Sequence, residues 1–177
     1  MKEYLQLIGL GMVLVLVQGL VLESVSERFY PDLVLIFALA MGLRSGGGIG
    51  GLVLAFALGF LVDAGSSQSQ PGLYALLRGT ACALTRVFDR ALYLRSGGPW
   101  ALYVGAYVVL DGFLLAALLQ LFATAGTTVS WDQILWRTPG VAILTALCAS
   151  TVLRWLRRFD GVGGHETGWG LLSSRMS

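Results

Sequence analysis

Long apolar runs broken by short polar stretches dominate the chain. Tyr4 to Leu22 carries no charge, and Pro31 to Leu43 and Ile49 to Val62 follow it, divided by Arg44-Ser45-Gly46-Gly47-Gly48. A fourth run starts at Leu73 and is interrupted by Arg78 and Arg86. Trp100 to Phe122 is the fifth, with Asp111 near its middle, and Pro139 to Leu156 is the sixth. A helix needs about 20 apolar residues to cross the hydrocarbon core of a bilayer. The pattern therefore predicts an all-α, polytopic membrane bundle of six transmembrane helices, over about 4–22, 31–43, 49–62, 73–93, 100–122 and 139–156. Pro139 suits the first turn of the last span. Residues 1–158 form one membrane domain in this reading, and the Gly- and Ser-rich residues 159–177 a flexible cytoplasmic tail.

Composition sharpens the assignment. Of 177 residues, 56% are hydrophobic and 12% charged, about half the charge of an ordinary globular domain. A soluble domain of this size has too much surface to cover with so few polar groups, and disorder requires low hydrophobicity. Eleven of the twelve basic residues are Arg, but they form no long run, so nucleic acid is not an expected partner. Cys82 and Cys148 lie inside apolar runs and read as small buried residues. The apolar stretch Leu5–Leu22 exceeds the usual 7–15-residue core of a signal peptide, so a retained first helix is expected.

Charge placement sets the expected orientation. With six spans, Lys2, Arg44, Arg86, Arg90, Arg95, Arg154, Arg157, Arg158 and Arg175 fall on one side, and Arg28 and Arg137 on the other. The positive-inside bias then makes both termini cytoplasmic. The second and third runs are short for a full crossing, and a single re-entrant element in their place would leave five spans. The charge count favours six.

Several polar and small residues stand out. Gly47, Gly51, Ala55 and Gly59 recur every four residues and make a winding ridge that lets helices approach closely, within the bundle or at a partner. The Gly46–Gly51 cluster has neither the flanking elements nor the spacing of a phosphate-binding loop. Arg78 lies about 10 Å into its helix, and intramembrane charges call for partners. Asp111 is the expected one and Asp63 the alternative, in either a structural ion pair or a ligand site. Arg86 and Arg90 share a helix face and suit an orientation anchor or a docking patch for anionic membrane lipid or an acidic partner. Trp131 to Arg137 has the composition of a short interfacial helix. Catalytic, metal and cofactor constellations are not recognisable: the one histidine, His165, lies in the tail, without HExxH or GxSxG companions.

Four segments together carry a family resemblance. Pro31-Asp32-Leu33-Val34-Leu35, Arg44 with its Gly-rich turn, Gly59-Phe60-Leu61-Val62-Asp63 and Pro71-Gly72-Leu73-Tyr74-Ala75-Leu76 resemble the bacterial rod shape-determining protein MreD family over Pro31 to about Phe122. Pro71 where a Leu is common, and Arg78 inside the fourth span, depart from the pattern. The resemblance implies a non-catalytic inner-membrane component of the cell-elongation machinery that organises peptidoglycan synthesis. It also implies a fold similar to the S components of energy-coupling-factor transporters. The implied partners are MreC, RodA, a class B penicillin-binding transpeptidase and MreB, with Gly51, Gly59, Asp63, Gly72, Arg78, Arg86, Arg90 and Asp111 as candidate structural or partner-binding residues. A small-molecule-binding subunit of a vitamin-type transporter is the rival expectation, motivated by Asp63, Arg78 and Asp111 in one compact bundle.

Overall fold

The computed structural model describes residues 2–22, 31–44, 48–65, 71–92, 97–122 and 131–160, and every regular element among them is helical. Helix α1 runs Lys2–Leu16 and continues as a π-helical turn, Val17–Leu22; α2 is Leu33–Leu43, α3 Gly48–Gly65, α4 Leu73–Leu92, α5 Gly97–Phe122 and α6 Trp131–Asp160. Each apolar run coincides with one helix. Two helices hold stretches long and apolar enough to cross a membrane, Gly98–Leu121 in α5 and Thr138–Trp155 in α6. The apolar stretches of α1, α2 and α3, Leu5–Leu20, Leu33–Leu43 and Ile49–Gly65, are shorter. Large apolar side chains such as Leu5, Leu20, Ile49, Leu102, Leu121 and Leu147 face outward.

Helix α2 is the centre. Its residues Val34 to Leu43 are all buried, as expected of a helix that is apolar around its whole circumference. Eleven residues make about 16 Å of helix, roughly half the hydrocarbon thickness. Asp32 starts it as the N-cap, its Oδ1 accepting from the Leu35 N–H at 2.8 Å. Arg44 stops it by turning extended, with its N–H on the Met41 carbonyl. Around α2 stand α1, α3, α4 and α6.

Glycines set how closely these helices approach. A Cβ on Gly59 would lie 2.5 Å from the Tyr74 carbonyl oxygen and 2.7 Å from Ala75 Cα, so α3 and α4 meet backbone to backbone there. One on Gly42 would lie 2.6 Å from the Cys82 carbonyl oxygen, which gives α2 and α4 the same intimacy. The ridge on α3 thus faces the bundle interior at Gly51, Ala55 and Gly59; Gly47 lies outside the described residues. Helices α5 and α6 pair through Trp100, fully buried, whose indole N–H donates to the Ala149 carbonyl at 3.1 Å.

Two expectations are corrected. Trp131–Arg137 is no separate interfacial helix but the first two turns of α6. Pro139 consequently sits inside that helix instead of opening it. Lacking an N–H, it forgoes the bond back to Leu135, and its ring takes an exposed position. The last helix also continues to Asp160, past the expected boundary; the rest of the tail lies outside the described residues.

Replacing Gly59 by Leu should lower stability by about 1–3 kcal/mol, the usual cost of overpacking, whereas Gly9→Ala, with open space at its Cβ, should be neutral or stabilising. Thermal unfolding of the two purified variants checks the contrast.

Candidate functional site

The site is assembled from helix ends. Asp63, buried near the C-terminus of α3, reaches across to the start of α4. Its carboxylate accepts N–H bonds from Gly72 at 3.1 Å, Tyr74 at 3.1 Å and Ala75 at 3.0 Å. The first N–H groups of a helix have no partners of their own, and an anion there also meets the positive end of the helix dipole. Gly72 makes this geometry accessible with φ +95°, a conformation that glycine adopts without steric cost.

With α4 anchored in this way, Arg78 projects into the core. It is 2% exposed. Its Nη1 lies 3.0 Å from Asp111 Oδ2 on α5, and its Nη2 lies 2.5 Å from Asp32 Oδ2 at the head of α2. The guanidinium carbon also stands 5.6 Å from the centre of the Tyr74 ring. The Asp32 N–H donates to Thr145 Oγ1 on α6 at 3.1 Å, and the Val34 N–H to Gln18 Oε1 on the π-helical turn at 3.1 Å. Five of the helical elements therefore meet at the N-terminus of α2.

Asp111 pairs with Arg78, but Asp63 does not: its carboxylate is committed to the α4 N-terminus, and the second anion on Arg78 is Asp32. Sequence reasoning named Asp32 only within the Pro31–Leu35 segment and missed this role. The available signal was an Asp directly before an apolar run, the N-cap pattern. The cap fixes that carboxylate in space with one oxygen still free for Arg78.

Two carboxylates and one guanidinium leave the cluster one negative charge in excess if all are ionised. Two buried polar atoms there have no hydrogen-bond partner, Arg78 Nε and Asp111 Oδ1, and the Tyr107 hydroxyl lies beside Thr80 of α4. Tyr107, one turn before Asp111 on α5, is within electrostatic reach of both Asp111 and Arg78. It continues an aromatic ladder with Tyr103, 6.1 Å away between ring centres, and Trp100, 6.2 Å from Tyr103. Tyr103 meets Thr85 of α4 at 3.1 Å between hydroxyl oxygens.

The other candidates lie apart. Arg86 is half-buried, with its Nη2 shielded and lacking a hydrogen-bond partner; a Cβ on Gly51 would stand 3.8 Å from it. Arg86 is thus partly turned into the bundle, not displayed wholly outward. Arg90 belongs to α4, its side chain outside those described. Among the described residues no group of three or more His, Cys, Asp or Glu is placed to hold a metal. No protein-family model, curated protein or solved structure matches the chain.

Removing Arg78 alone, as Arg78→Leu, strands two carboxylates and should cost about 3–5 kcal/mol. Adding Asp32→Asn and Asp111→Asn to it should recover folded yield, measured by size-exclusion chromatography after extraction; a triple variant no better than the single would contradict the cluster. At the cap, Asp63→Ala should cost about 1–2 kcal/mol in thermal unfolding and Asp63→Asn distinctly less, because Asn also accepts at an N-cap.

Proposed function

We propose that the protein is a non-catalytic scaffold of the bacterial cell-elongation machinery, resembling the MreD family, and helps maintain rod shape by organising peptidoglycan synthesis. It resides in the plasma (inner) membrane as a six-span, multi-pass protein with both termini cytoplasmic. One observation carries the reading: three of the segments on which the resemblance rests interlock. Asp32 caps α2 and holds Arg78; Gly59 admits the backbone of α4; Asp63 binds the N–H groups of Gly72, Tyr74 and Ala75. These residues join α2, α3 and α4 into one helical core, and the outward-facing surface of the helices is left to meet partners. MreC, RodA, a class B penicillin-binding transpeptidase and MreB are those partners in this proposal.

A second reading, the small-molecule-binding subunit of a vitamin-type transporter, is favoured by the unpartnered polar atoms around Arg78, since buried polar groups in a membrane bundle mark substrate sites. It requires a molecule that co-purifies with the protein and raises its melting temperature.

Depletion in the native bacterium should turn rods into round cells, and an affinity-tagged copy should bring down the elongation glycosyltransferase and transpeptidase from native membranes. Rods of normal shape, with none of these proteins captured, would refute the scaffold reading.

A further inference from the structure

Close glycine contacts divide the bundle in two. Gly11 of α1 lies against Leu58 of α3, Gly42 of α2 against Cys82 of α4, and Gly59 of α3 against Tyr74 of α4. Gly105 and Gly112 of α5 lie instead against Ala146 and Thr138 of α6. Each of these contacts stays within α1–α4 or within the α5–α6 hairpin. Trp100 reinforces the hairpin through its bond to the Ala149 carbonyl.

Side chains make the links that cross between the two groups. Along the α4–α5 seam Thr85 meets Tyr103, Thr80 lies beside Tyr107, and Arg78 holds Asp111. Residue numbers fall along α4 as they rise along α5, so these are the rungs of an antiparallel pair. Tyr103, Tyr107 and Asp111 recur every four residues, which puts them on one winding face of α5. On the other side of the hairpin, the Asp32 N–H at the head of α2 donates to Thr145 of α6.

Apolar contact also crosses, because Val104, Ala142, Ala149 and Leu153 share one buried cluster with α2. In lipid such contact has little net driving force, since acyl chains can replace it. The polar rungs therefore set the register between the groups, and they differ in strength. Thr85–Tyr103 and Asp32–Thr145 are single neutral hydrogen bonds, whereas Arg78–Asp111 is charge-assisted and stronger. Thr85 also donates to the Ala81 carbonyl, so it keeps a partner when Tyr103 leaves.

We propose that the α4–α5 seam is a polar zipper on which the α5–α6 hairpin moves as one unit against α1–α4. The arrangement described is the closed one. Opening breaks the two neutral links, turns about the Arg78–Asp111 pair and admits acyl chains to the apolar part of the gap. The glycine contacts inside each group are kept, so neither group unfolds.

Pulsed electron paramagnetic resonance on the full chain in lipid nanodiscs tests this, with spin labels on genetically encoded residues so that Cys82 and Cys148 stay native. Exposed positions Ala57 and Ala83 report the distance within α1–α4, Ala106 and Leu147 that within the hairpin, and Ala57 with Leu147 that between the groups. Tyr103→Phe combined with Thr145→Val leaves the Arg78 cluster intact. It should raise the share of a second, longer between-group distance roughly tenfold, the product of two hydrogen bonds of the strength found in membranes. Both within-group distances should stay unchanged. Thr145→Ser with native Tyr103 keeps the hydroxyl and should retain the wild-type distribution. A between-group distance as narrow in the double variant as in wild type overturns the proposal. So does broadening of all three distances together, which is general loss of packing, or a Thr145→Ser protein that opens as far as the double variant.

Discussion

A guanidinium buried in an apolar bundle stays folded only if its charge is met, and Arg78 meets it with carboxylates from two other helices. Asp32 belongs to the cap of α2 and Asp111 to the middle of α5, so the three residues tie together elements far apart in sequence. Apolar packing alone gives weak direction in lipid, because the solvent is as apolar as the side chains. A charged contact has direction and a definite partner. In this fold it fixes which end of α2 faces α4 and at what depth α5 lies beside them.

The contact depends in turn on backbone geometry. Gly59 and Gly42 allow α4 to approach α3 and α2 more closely than any side chain would permit. Asp63 holds the first turn of α4, which sets the height of Arg78. A short, wholly buried α2 then has its N–H groups and cap shared among α1, α4 and α6. In the proposed scaffold these buried residues hold the interior together, while the outward-facing surfaces of the helices are left for lipid and protein contacts.

Much of this was legible in the sequence. Apolar runs located the six α-helices among the described residues, because a long run with few charges is most simply satisfied by a helix, which bonds its own backbone. Arg78 and Asp111 stood out as charges where charge is expensive. Asp32 did not, because it borders its run and resembles an ordinary loop acid; only folding brings the cap of α2 against α4. Asp63 was noticed only as an alternative partner for Arg78, since sequence spacing does not say whether an acid faces a side chain or the N-terminus of the next helix. The continuation of α6 through Pro139 was likewise hidden, because proline reads as a start signal when it precedes an apolar run.

The central claim, that Arg78 joins Asp32 and Asp111, is tested most directly by solid-state NMR on the protein in lipid, with guanidinium-15N arginine and carboxyl-13C aspartate. Dipolar contacts from Arg78 to the carboxyl carbons of residues 32 and 111 are expected, the first disappearing in Asp32→Leu and the second in Asp111→Leu. A contact to Asp63 in their place, or none to either carboxylate, would contradict the arrangement on which the rest of the fold depends.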